Sequence, residues 1–163
     1  MRDQKWHNCA VTELTDSLDG RNETERRTDT ENGVTIQSTQ YEDGALYTVM
    51  YHANHGGTYV GYVRGEFANT ERAFFQEVSA AFRFPYYFGW NWAALDDCLT
   101  DLEWLSFSSL LLVVDRAELL FRDEPDVKVC VNLLKKHLLA AASYWKERNI
   151  KFEVILNTHM RRA

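Results

Sequence analysis

Apolar and polar positions divide the chain unevenly. Residues 1–33 are polar and of mixed charge, and Arg21–Glu31 (RNETERRTDTE) has almost no apolar side chain to drive burial, so a loose lead-in is expected there. From Val34 the pattern changes. VTIQSTQY and ALYTVMYHA are rich in β-branched and aromatic residues and flank Glu42-Asp43-Gly44, a turn signal, which together predict a hairpin. A second turn signal, Asn54-His55-Gly56-Gly57, precedes TYVGYVRG and predicts antiparallel pairing of residues 46–53 with 58–64.

The period then becomes helical. After Asn69 or Thr70, either able to cap, Phe74, Phe75, Val78, Ala81 and Phe82 fall on one face of a helix that ends near Pro85. Leu110–Val114 (LLLVV) is a continuous apolar run closed by Asp115, the pattern of a central strand buried on both faces. Pro125-Asp126 opens a long helix whose inner stripe is Val127, Val131, Leu134, Leu138, Ala141 and Trp145, ending near Asn149. Lys151–Asn157 (KFEVILN) supplies a last strand. Strands joined by helical connections imply right-handed crossovers. The predicted class is α/β: a small parallel three-stranded sheet covered by helices, with an N-terminal β-hairpin at the sheet edge. Residues 1–57 read as the extension and 58–163 as the main domain.

Composition narrows the function classes. Twenty-four acidic residues against 18 basic ones leave a formal charge of −6, which opposes general affinity for nucleic-acid phosphates and suits a positively charged partner. No apolar stretch approaches the ~20 residues of a membrane span, and Met1–Cys9 lacks the form of a secretory signal, so a cytoplasmic protein is expected. Cys9, Cys98 and Cys130 have neither paired spacing nor an even count, which argues against a disulfide framework or a zinc site. His52 and His55 lack nearby ligands at metal spacing and read as turn histidines. No cofactor is implied.

The informative segment is Phe84–Trp104 (FPYYFGWNWAALDDCLTDLEW), with four acidic residues (Asp96, Asp97, Asp101, Glu103) and no basic one. Steps of about 100° put Trp92, Leu95, Leu99 and Leu102 on a core face, while Asp97, Asp101, Ala93, Ala94 and Trp90 gather on the other. Outward carboxylates flanked by Tyr86, Tyr87, Phe88 and Trp90 can seat in a concave basic site, with carboxylates standing where substrate phosphates would lie.

This segment resembles the barstar family of ribonuclease inhibitors. The similarity is densest in Phe84-Pro85-Tyr86-Tyr87-Phe88-Gly89-Trp90-Asn91, then Ala94-Leu95 and Asp97-Cys98-Leu99-Thr100, and extends more weakly over about residues 58–157. Residues 1–57 have no counterpart in the short form of the family. The resemblance implies a three-stranded parallel sheet with packed helices, and inhibition by inserting loop and helix into a nuclease active site. It makes Tyr87 and Asn91 contact residues, Gly89 the residue that allows a tight turn, and Asp97 the central anionic anchor. The chain departs from the well-known member, which has an aspartate where Ala93 stands, a tryptophan at Asp96, and a nuclease-contacting glutamate at Tyr144. The acidic pattern is moved, with Asp96 and Asp101 present instead, which implies a different nuclease, such as a toxin for which this chain is the immunity protein.

The expected partner is therefore a basic ribonuclease or nuclease toxin, bound through Tyr87, Gly89, Trp90, Asn91, Ala93, Asp96, Asp97 and Asp101 by a chain that is monomeric beforehand. The rival is a barstar-like scaffold or regulatory module without nuclease inhibition, which the loss of an acid at position 93 favours. An enzyme is not expected: Asp96 and Asp97 are adjacent on a helix and point about 100° apart, and no nucleophile-base arrangement or phosphate loop is readable.

Overall fold

The computed structural model describes residues 27–31, 34–41 and 43–159. The elements in chain order are β1 (Arg27–Glu31), β2 (Val34–Thr39), α1 (Asp43–His55), β3 (Thr58–Arg64), α2 (Glu71–Phe82), α3 (Trp92–Asp101), β4 (Ser109–Asp115), α4 (Val127–Glu147) and β5 (Phe152–Asn157). A 3₁₀ turn, Ala117–Leu119, follows β4. The strands form one sheet in the order β1-β2-β5-β4-β3, with β1 antiparallel to β2 and all other pairs parallel.

The α/β class holds, but four strands are mutually parallel where three were expected. The fourth is β2, which lies on the outer edge of β5 with Ile36 opposite Val154 and Thr39 opposite Asn157. A hairpin does form, yet it is built from β1 and β2 and not from residues 34–41 and 45–53. Residues 45–53 belong to α1, so the antiparallel pairing with residues 58–64 does not occur; β3 pairs in parallel with β4. Leu46, Val49, Met50 and Ala53 are spaced i, i+3, i+4, i+7, and that helical stripe packs on Leu111, Val113 and Ile155. The β-branched and aromatic content suggested a strand, but burial of this stripe decides for a helix. Arg27–Glu31, read as lead-in, is a polar edge strand. The rest of the lead-in, residues 1–26 and 32–33, lies outside the described residues.

Alternation along β4 divides the core between the two faces of the sheet. Leu110, Leu112 and Val114 join the larger cluster with residues of α2, α3 and α4, whereas Leu111 and Val113 turn toward α1. Helices thus cover both faces. Gly61 on β3 lets the Phe82 ring close on the sheet, because a Cβ there would stand 2.7 Å from the ring. Each long helix begins where the sequence indicates: Thr70 Oγ1 accepts from Ala73 N at the start of α2, and Asp126 Oδ1 accepts from Val129 N at the start of α4.

The C-terminal ends of β3, β4 and β5 meet in a polar knot. Asp115 accepts hydrogen bonds from Asn157 Nδ2 (2.8 Å), His159 Nε2 (2.8 Å) and the Tyr62 hydroxyl (3.0 Å), and buried Asn157 also accepts from Tyr41 N at 2.7 Å. Burial raises the Asp115 pKa, but these three donors and the His159 charge outweigh it and hold the carboxyl below its usual range. A depressed folded-state pKa contributes stability that is full above the unfolded value of about 3.9 and is lost as pH falls through the folded value. Asp115→Asn should therefore lower stability at neutral pH and flatten the loss below about pH 4 in denaturant titrations run across pH. An unchanged acid limb would show that Asp115 carries no such linkage.

Candidate functional site: the loop from Phe84 and helix α3

The loop before α3 is anchored by one ring and exposes three. Phe88 is buried against Phe84 (centroids 4.9 Å apart) and Phe75 (6.1 Å), and its N–H donates to Pro85 O at 3.0 Å. Around this anchor, Tyr86 is 99% exposed, Tyr87 60% and Trp90 53%. The left-handed residue is Trp90, at φ 55°, and not Gly89. A bulky side chain is rare in that region, but Arg83, Leu102, Arg116, Phe121 and Asn149 also have positive φ, so at Trp90 the conformation sets the course of the loop and does not by itself mark a site. Gly89 serves by its size: a Cβ there would come within 3.2 Å of both Ala94 Cβ and Asn91 Nδ2.

Asn91 joins loop to helix. Its Oδ1 accepts from Ala94 N at 2.9 Å as the N-cap of α3, and its Nδ2 donates to Gly89 O at 3.0 Å. The first turn of α3 is thereby fixed relative to the Tyr87–Trp90 loop. The core face is as the period predicts, with Leu95, Leu99 and Leu102 buried, joined by Cys98, and Trp92 half-buried against Phe74 and Phe75. At the far end, Trp145 Nε1 on α4 donates to Leu99 O at 2.7 Å, occupying one of the last carbonyls of α3, which helix geometry leaves unpaired.

Outward, Ala93, Asp97 and Asp101 are exposed at intervals of four residues, one continuous stripe that begins at Trp90. Ala94, expected on this face, is half-buried against the core. The Tyr87 phenol belongs to the same surface: loss of hydration first, then the Asp101 carboxylate, raise its pKa. The Cys98 thiol beneath is pushed up by burial first and then by Asp101 and Asp97, so it stays protonated. Carboxylates four residues apart repel, and those near a helix C-terminus oppose its dipole. No acidic residue occupies the first turn of α3 and no basic one its last. The charge is thus placed against the stability of the helix itself.

Asp96 does not join this stripe. Its Oδ1 accepts from His137 Nδ1 on α4 at 2.6 Å, and the imidazole is stacked on Trp92 with centroids 5.2 Å apart and planes 11° apart. Of the eight residues predicted for the site, the structure gathers Tyr87, Gly89, Trp90, Asn91, Ala93, Asp97 and Asp101 on the loop and outer face of α3, and turns Asp96 toward α4. Tyr144 on α4 is half-buried, with the Arg148 guanidinium 3.5 Å above its ring. Among the described residues no group of three or more His, Cys, Asp or Glu side chains could hold a metal ion. His52 and His55 lie in the last turn of α1, where His55 Nδ1 donates to Tyr51 O at 2.8 Å. Among the described residues no helix is long and apolar enough to cross a membrane.

A loop-and-helix ridge of this kind has a counterpart among known families. The family model described as Barstar (barnase inhibitor) matches residues 58–157, more than half of the 163-residue chain. The chain belongs to the barstar family. No curated protein matches it. The matched span begins at β3 and ends with β5, so it contains the aromatic loop, α3 and α4, and excludes β1, β2 and α1. By its description the barstar family is one of inhibitors, which accords with a ridge that presents charge outward. Sequence reasoning missed His137 and Trp145 as supports of α3. The only signal for His137 was a polar residue beside the inner-stripe residues Leu134, Leu138 and Ala141 of α4.

Proposed function

We propose that the chain binds and occludes the active site of a basic ribonuclease, as the immunity or antitoxin protein of a nuclease toxin. The observation that carries this reading is the exposed stripe Trp90, Ala93, Asp97 and Asp101, whose two acids stand one turn apart with Asp101 at the C-terminal end of α3, where the helix dipole disfavours a negative charge. Tyr87 and Trp90 supply large, partly rigid contact area, and the carboxylates take the positions of substrate phosphates in a basic cleft. The negative face steers encounter with a basic nuclease, while pairs desolvated on docking make the complex last. In this reading residues 58–157 form the inhibitor, residues before them cap the β5 edge of its sheet, and the chain acts as a cytoplasmic monomer until it binds.

The misfit of charge and helix gives a test. Asp101→Lys should raise the melting temperature by about 1–4 °C by relieving repulsion at the C-terminal end of α3, and should weaken inhibition of the ribonuclease partner. Calorimetry and a ribonuclease inhibition titration read the two effects separately. A variant that is neither more stable nor a poorer inhibitor contradicts the assignment of Asp101 to the contact face. Ala93 favours a second reading, a scaffold module that binds without inhibiting, since it removes an acid from the same stripe. Binding that leaves nuclease activity intact would select it.

A further inference from the structure

We infer that Asp96 is a positioning residue: with His137 it latches α3 onto α4 and sets the direction in which Asp97 and Asp101 project. The inference rests on the reading of α3 as the contact helix. Asp96 carries the same charge as Asp97 and follows Ala93 by three residues, so on sequence it belongs with the partner-facing acids. The structure gives it another role. Its side chain is 42% exposed, whereas the His137 side chain it accepts from is only 11% exposed and lies flat on Trp92. Trp92 is itself fixed, since its Nε1 donates to Glu71 Oε1 at 3.0 Å on α2. Trp92 and Asp96 lie one turn apart on α3, so His137 of α4 is held against two successive turns of that helix, while the Trp92–Glu71 bond ties the first of them to α2; together these contacts resist rotation of α3 about its axis.

Two further contacts make that rotation matter. Asn91 fixes the start of α3 to the aromatic loop, and Trp145 holds Leu99 O near its end, but neither grips the middle of the helix. Asp96 is in that middle, one residue before Asp97. A helix free to turn by a small angle would still bury Leu95 and Leu99 yet would misdirect carboxylates whose pairing on a partner depends on geometry. Turning Asp96 inward also determines which acids are presented, leaving the row Asp97–Asp101.

The test uses the full chain with Asp96→Ala, Asp96→Asn, His137→Leu and the double variant Asp96→Ala/His137→Leu; leucine keeps apolar volume beside Trp92. In the free protein, amide hydrogen exchange within residues 92–101 should accelerate about tenfold in Asp96→Ala and His137→Leu relative to the rest of the fold, the scale of one lost charge-assisted hydrogen bond. Asp96→Asn, whose amide oxygen still accepts from Nδ1–H, should recover most of that protection. Against barnase as probe, dissociation should be about tenfold faster in each single variant and no faster in the double, because both remove the same latch. A merely structural loss would lower the folded fraction without changing the dissociation rate of the folded complex. Unchanged exchange in both single variants overturns the latch whatever barnase does, as does additive loss of binding, which would make Asp96 a direct contact. Failure of the wild-type chain to bind barnase counts against a barnase-type partner and leaves the exchange result to decide the latch.

Discussion

Replacing Asp97 with alanine is expected to weaken binding to the partner ribonuclease by about 2 to 5 kcal/mol, roughly 30-fold to several-thousand-fold in affinity, with little change in fold stability. The magnitude is that of buried charge pairs in barnase–barstar itself, the type complex of this family, and is carried here with the family relation. The local reason is position. Asp97 is in the middle of the exposed stripe, between Ala93 and Asp101, where docking would exclude water most completely. Removing it would leave the facing cation of the nuclease buried without its counter-charge, so the loss should appear mainly as faster dissociation. An affinity change below about threefold, measured by titration calorimetry or surface binding, would remove Asp97 from the role of anchor.

The second large effect concerns stability. Leu95 and Leu99 are fully buried beneath the acidic face, in a cluster with Phe74, Phe121 and residues of α4. Truncation of either to alanine should cost about 2 to 5 kcal/mol of folding free energy, from lost transfer energy plus the cavity that remains. Denaturant unfolding gives this quantity. Unchanged midpoints in both variants would mean that the buried face of α3 is not the one described.

Both predictions depend on a helix whose phase was readable from sequence, because Leu95, Leu99 and Leu102 are apolar at helical spacing and the intervening acids are not. β4 was readable for a similar reason, since few other elements explain a run such as LLLVV closed by an acid. What escaped prediction was non-local. Asp96 looks like its neighbour Asp97 until His137, 41 residues away, is brought beside it. β1 has no apolar residue in RTDTE to mark it, and its pairing with β2 is a backbone ladder at a sheet edge. In α1 the Val, Tyr and Thr content favours a strand, whereas the four residues that pack on the sheet follow the helical interval. The left-handed conformation of Trp90 is likewise not legible in the sequence, since no residue-type preference points to tryptophan there.

The central claim is that the acidic ridge silences a basic ribonuclease. Its most direct test is capture from a lysate of the source organism at low salt, with wild type and Asp97→Lys as parallel baits and ribonuclease activity assayed before and after the bait is stripped. The predicted result is one basic protein retained by wild type and lost by the variant, inactive while bound and active as a ribonuclease once released. Retention of the same proteins by both baits, or a released partner without nuclease activity, would contradict it.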